Sequence, residues 1–243
     1  MAEVYTLWIF VLCLSFLALV TWTQRKSEGL LYLFSFLYGV SIISHQLSLF
    51  FAPVYILLIL LYEPKIVSRW RTLFIMFDFF VLGLLLYMYI PIRAMHDPLI
   101  SWNKIHDFNS FFGYLLRRQY GEVKSNFNIG YVEQGFFPDF TRMKQLLGYL
   151  KYEFSPVCVG LIFGFIPLIL KAKRYLLTFS LLFLMSGFGI WKSIELTAHG
   201  LYIGRVFLLA SYIIVAIFMG LGFFYIIDLA LRKARKVFYF ALV

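Results

Sequence analysis

Stretches without charge dominate the chain. Val4 to Trp22, Thr72 to Ile92 (with Asp78 as its sole charge), Phe154 to Leu170, Tyr175 to Trp191 and Val206 to Ile227 are each long and apolar. Crossing an apolar core of about 30 Å takes roughly 20 such residues in a helix. The run from Gly29 to Tyr62 is longer, with 34 residues free of Asp, Glu, Lys and Arg. As one helix it would reach about 51 Å at a rise of about 1.5 Å per residue, too long for a single crossing. Ser44-His45-Gln46 is the only strongly polar cluster inside it, and it predicts two short helices meeting in a turn there. The alternative is one long kinked helix. With the turn, the expectation is an all-α integral membrane protein of about seven spans, 4–22, 30–43, 48–62, 72–92, 154–170, 175–191 and 206–227, in a single domain over 1–243.

Loop charge decides between the two readings, because short cytoplasmic loops carry the excess of Lys and Arg. With seven spans the inner loops hold Arg25, Lys26, Lys65, Arg69, Arg71, Lys171, Lys173, Arg174, Arg232, Lys233, Arg235 and Lys236, while the short outer loops hold only Lys192 and Arg205. A single long helix inverts everything after it and scatters these residues. The turn is therefore expected at His45, with the N-terminus outside and the Arg232-Lys233-Ala234-Arg235-Lys236 cluster inside.

Residues 93–153 then form a long outer loop with structure of its own. Phe108, Phe111, Phe112 and Leu115 make an apolar stripe over 107–120, behind an Asp or Asn cap and ahead of Arg117 and Arg118. Met143, Leu146, Leu147 and Leu150 repeat the pattern over 141–152, against Arg142, Lys144 and Lys151. Both read as amphipathic helices lying on a membrane.

Composition agrees with this reading. The chain is 62% hydrophobic, 21% aromatic and 14% charged, with a net charge of +10. Soluble domains average about 45–50% apolar and about 25% charged residues, so a soluble, disordered or fibrous protein is excluded. Cys13 and Cys158 fall within expected spans and imply no disulfide. Met1-Ala2-Glu3 lacks the basic start of a signal peptide. The positive excess lies on the inner loops and is explained by orientation, so nucleic acid is not an expected partner.

His45, His96, His106 and His199 all fall at the outer face in this topology, together with Glu3, Asp97, Asp107, Trp102 and Arg205. That makes it the candidate working face, although interfacial loops are also where a membrane protein places polar residues. His45 is polar within an apolar run, which points to function or to satisfying the backbone at the turn. Glu3 suits the positive end of a helix dipole, Arg93 suits headgroup anchoring, and Arg117 and Arg118 suit either phosphate recognition or a solvated helix face. No metal-ligand spacing is present, so no metal is expected. Two classes remain: a membrane enzyme acting on a lipid-linked phosphate, and a transporter with a polar path to Asp78.

Several stretches resemble, in order, the transmembrane protein 260 family: Ala2-Glu3-Val4-Tyr5-Thr6-Leu7, Gly39-Val40-Ser41-Ile42-Ile43-Ser44-His45, Tyr89-Ile90-Pro91-Ile92-Arg93-Ala94 through Asp97-Pro98 to Trp102, Arg117-Arg118-Gln119-Tyr120-Gly121, and Arg205-Val206-Phe207-Leu208 with Ser211-Tyr212. Leu209 and Ala210 stand where that family has a proline. The resemblance implies a GT-C-type membrane glycosyltransferase, similar to the protein O-mannosyltransferases. Such enzymes move a sugar, mannose in the eukaryotic ones, from a polyprenyl-phosphate donor to an acceptor hydroxyl at the lumenal or periplasmic face. The substrate-binding candidates carried over are Glu3, Tyr5, His45, Arg93, Asp97, Trp102, Arg117, Arg118, Tyr120 and Arg205. The arginines are expected to meet donor phosphate, Trp102 and Tyr120 to stack on sugar or prenyl groups, and Glu3 and Asp97 to position substrate. Glu3, His45, Arg93 and Arg205 are expected to converge on one outer cavity. The family's catalytic Asp precedes the Glu-Val-Tyr step at which this chain begins, so the expectation is an N-terminally truncated member, or one that is not catalytic alone. The implied partners are membrane lipid, a polyprenyl-phosphate sugar and a protein or glycan acceptor, with no cofactor. The implied location is a bacterial inner membrane or the endoplasmic reticulum membrane.

Overall fold

The computed structural model describes residues 4–96, 107–115, 140–154, 159–189 and 208–241, and among these every regular element is helical. Three helical stretches are long and apolar enough to cross a membrane: Tyr5–Arg25, Trp70–Ala94 and Leu209–Arg232. The chain is a helical membrane protein on that ground. It groups into two compact units, residues 1–48 with 67–138 and residues 49–66 with 139–243.

The first unit is built on α1 (Val4–Arg25), α2 (Glu28–Ser44) and α4 (Trp70–Leu84). Trp8, Val11, Leu12, Ser15, Ala18, Leu19 and Trp22 are buried on α1, three or four residues apart, as one packed helix face requires. Leu31, Phe34, Ser35, Tyr38 and Ile42 form the matching stripe on α2. A tight turn makes the two helices antiparallel. Lys26 ends α1 in the left-handed region (φ 57°), its amide bonded to Trp22 O at 2.8 Å and its ammonium 4.7 Å from the Trp22 ring. Those contacts offset the roughly 1–2 kcal/mol that a side chain pays in that conformation.

Helix α4 runs parallel to α2. Glu28 Oε1 accepts from Thr72 Oγ1 at 3.2 Å and lies 3.8 Å from Arg69, Tyr32 stacks on Phe79, and Gly39 meets Gly83. A Cβ on Gly39 would lie 2.5 Å from Phe80 O, and one on Gly83 would run into Phe36 O. Without side chains the two backbones touch, which is how helices associate where lipid removes any hydrophobic drive between them. A 3-10 turn, Leu85–Met88, and α5 (Tyr89–Ala94) extend α4, and little of that apolar stretch is buried. Helix α6 (Phe108–Leu115) begins on a reciprocal cap. Ser110 N–H donates to Asp107 Oδ1 at 2.6 Å, and Asp107 N–H donates to Ser110 Oγ at 3.1 Å.

The second unit holds α3 (Ala52–Tyr62), α7 (Phe140–Phe154), α8 (Val159–Lys171), α9 (Lys173–Phe183) and α10 (Leu209–Ala241). Glycines again set the close approach. Gly160 and Gly164, four apart, lie against Gly222 and Phe218 of antiparallel α10. Phe165 stacks on Phe218 at 4.5 Å. Helix α9 continues into a π-helical turn, Leu184–Gly189, whose Ser186 hydroxyl shares a 2.9 Å hydrogen bond with Ser211 of α10.

The 34-residue run is two helices, ending and restarting around the polar triplet. Other boundaries differ from the sequence expectation. Within the stretch expected at 154–170 the described helix is Val159–Lys171, 13 residues long and about 20 Å. Pro167 lies inside it, and Pro has no N–H to donate to the preceding turn. The basic cluster 232–236 is part of α10, which runs helically to Ala241, rather than a loop. Asp228 pairs with Arg232 at 2.9 Å one turn on.

The glycine contacts carry a direct test. Gly83→Ala and Gly222→Ala should each lower stability by about 1–3 kcal/mol through overpacking. Gly220→Ala and Gly148→Ala, where a Cβ meets nothing within 4 Å, should be neutral or stabilising. Thermal unfolding in detergent distinguishes the two pairs.

Candidate functional site

The polar triplet that breaks the long run is tied to the first helix. At Ser44 the chain leaves the α-helical conformation, and His45 is extended (φ −160°, ψ 126°). Every backbone group freed by such a break needs a partner away from water. His45 N–H bonds Ser41 O at 2.9 Å, and Ser48 N–H bonds His45 O at 3.0 Å. Leu47 N–H donates to His45 Nδ1 at 3.2 Å. The imidazole thus caps its own turn.

Ser48 joins the turn to the helices on either side. Its hydroxyl donates to Ser41 O at 3.0 Å and accepts from Trp8 Nε1 at 2.8 Å, while Tyr38 OH donates to Ser48 O at 2.8 Å. Trp8, Ser41 and Ser48 are fully buried and His45 is 8% exposed. Two rings flank the imidazole, Trp8 at 4.9 Å and Tyr5 at 5.4 Å between centroids. The imidazole is therefore held in a fixed orientation between two aromatic faces.

Of the residues singled out in the sequence, Tyr5 and His45 come together here. Arg93 is exposed in the last turn of α5. Gly39 faces Gly83 on parallel helices, so His45 and Arg93, six and ten residues further on, lie toward the same end of the α2–α4 pair. Arg25, Lys26, Arg69 and Arg71 mark the other end. Glu3, Asp97, Trp102, Arg117, Arg118, Tyr120 and Arg205 lie outside the described residues, as do His106 and His199. Asp107 caps α6 and His96 is exposed. Asp78, which a transport path would need in a polar interior, is exposed on α4. Among the described residues no three His, Cys, Asp or Glu side chains gather as metal ligands.

Trp8, Tyr38, Ser41 and Ser48 were not singled out in the sequence. Trp8 and Tyr5 are three apart on α1, and Ser41 and Ser48 flank His45, but the Trp8–Ser48 bond spans 40 residues and only the fold reveals it.

A double-mutant cycle tests the network. Ser48→Ala strands a buried indole N–H and should cost about 1–3 kcal/mol, as an unsatisfied buried donor does. Adding Trp8→Phe to Ser48→Ala should cost less than Trp8→Phe alone by about 1 kcal/mol, read by thermal unfolding in detergent. Strict additivity of the two would show that the bond is not made.

Comparison with protein-family models, with curated proteins and with solved structures finds no match to this chain.

Proposed function

We propose that the chain is a multi-pass membrane glycosyltransferase unit of GT-C type, taking a sugar from a polyprenyl phosphate and passing it to an acceptor hydroxyl. The working face is the one bearing Tyr5, His45 and Arg93. The observation that carries the reading is the segregation within the first unit. A fixed imidazole, two aromatic rings and a guanidinium lie toward one end of the helices, and a basic cluster with the Glu28 bonds lies at the other. Parallel α2 and α4 support the multi-pass part of it. A chain leaving α2 at Ser44 has to travel back along its own length before Trp70, and residues 46–62, about 25 Å if helical, are enough to do so. Seven spans follow if the shorter apolar helices also cross.

In the transfer, the bond between the anomeric carbon and the phosphate oxygen breaks and the acceptor oxygen takes its place. Guanidiniums at Arg93, Arg117, Arg118 and Arg205 stabilise the departing phosphate by charge-assisted hydrogen bonds. Tyr5, Trp102 and Tyr120 present flat apolar surfaces to sugar or prenyl units, His45 donates to a hydroxyl or phosphate oxygen, and Glu3 and Asp97 position substrate. The acceptor proton goes to a carboxylate within hydrogen-bond reach. The membrane is a bacterial inner membrane or the endoplasmic reticulum, with the working face outside the cytoplasm.

Fluorescent polyprenyl phosphate titrated into the purified chain tests the reading. Saturable binding is expected, displaced by unlabelled polyprenyl-phosphate mannose. Arg93→Gln and the double change Arg117→Gln, Arg118→Gln should each weaken it about tenfold or more, the scale of one lost charge-assisted bond, with unfolding temperature unchanged. Binding no tighter than that of the unphosphorylated polyprenol, or indifferent to both variants, would contradict the proposal.

A further inference from the structure

Helix α4 shows two different faces. Thr72 and Gly83 are buried against α2, and Phe79 and Phe80 meet Tyr32 and Tyr38. At 100° per residue these four lie within one third of the helix circumference. Trp70, Phe74, Phe77 and Leu85 point the other way and are 69%, 60%, 61% and 53% exposed. Asp78 is exposed at the edge of that face, about 20° round the helix from Leu85. It lies eight residues beyond Trp70, about 12 Å along the axis, and fifteen before Arg93, about 22 Å, so it is deep in the apolar stretch from either end. A short carboxylate side chain cannot snorkel that distance as Lys or Arg can. An ionisable group at this depth normally faces a partner or a polar interior. Among the described residues none forms an ion pair with Asp78.

Charge complementarity identifies the kind of partner. The three described membrane-length stretches carry Lys or Arg only at or next to their ends, and Asp228, the other acid within them, is already paired with Arg232. A second copy of these helices offers no cation at the depth of Asp78 and would set two carboxylates face to face. We propose that the exposed face of α4 seats a membrane-spanning helix of another protein, carrying one Lys or Arg at the depth of Asp78 and small or apolar residues against Phe74, Phe77 and Leu85. The contact is a membrane-buried ion pair framed by aromatic packing. It is independent of the glycosyltransferase reading, because it rests on α4 alone.

The probe is a synthetic oligo-leucine spanning peptide with a single Lys eight residues from its interfacial Trp, labelled with an acceptor fluorophore. The full chain, donor-labelled, is reconstituted with it in phosphatidylcholine vesicles. Energy transfer should report a bound fraction at least threefold above that of the same peptide with Leu or Glu in place of Lys. Asp78→Leu should remove the difference and Asp78→Glu keep it, with thermal unfolding of both variants no lower than that of the parent. Equal transfer to the Lys and Leu peptides, or a Lys preference that survives Asp78→Leu, overturns the proposal. So does association between donor- and acceptor-labelled copies of the chain that Asp78→Leu abolishes, since the face would then belong to a second copy.

Discussion

In surroundings that offer no water, a break in a helix survives only if every amide and carbonyl it releases finds another partner. The break after Ser44 places new partners within a few residues. Its amides go to Ser41 O, His45 O and His45 Nδ1, and the Ser48 hydroxyl and carbonyl are taken up by Ser41, Trp8 and Tyr38. The long apolar run can therefore end as one helix and restart as another. The first unit depends on this closure, because the bonds that satisfy the turn also fix α1 against the end of α2. The imidazole placed there for backbone reasons is also where the rings of Tyr5 and Trp8 meet the turn.

What joins the helices is mostly absence of side chain. Gly39 against Gly83, and Gly160 and Gly164 against Gly222, bring backbones into contact in both units. Large aromatic side chains fill the space beside these crossings, as Tyr32 on Phe79 and Phe165 on Phe218 show. The Glu28 cluster with Tyr32, Thr72 and Arg69 is half-exposed and contributes at most about 1 kcal/mol as an ion pair. It records which ends of α2 and α4 lie together more than it holds them there.

The polarity of Ser44-His45-Gln46 was enough to locate the break, because a lone polar triplet has few places to go in an apolar run. Likewise the Asp or Asn cap expected at the head of 107–120 is Asp107 at the start of α6, since capping is local chemistry. The continuation of α10 through its basic cluster was not legible, as composition alone does not mark where a helix stops. The glycine crossings carry a sequence signal, two glycines four apart at 160 and 164, but the partner at 222 depends on tertiary packing. At the candidate site the same division holds. His45 stood out by polarity, whereas Trp8 and Ser48 look like ordinary apolar and small residues until the fold brings them together. The exposure of Asp78 also had to be seen, because a single acid in an apolar run is compatible with either face of its helix.

The central claim is that α2 and α4 run parallel, so that they start side by side. Spin labels at Ser27 and Ser68, flanking the Glu28–Arg69 pair, test this by pulsed electron resonance in liposomes. Neighbouring parallel helices, about 8–10 Å between axes, should give a distance below about 25 Å including the label arms. A distance near about 50 Å, the length of one continuous helix from Gly29 to Tyr62, would contradict the account.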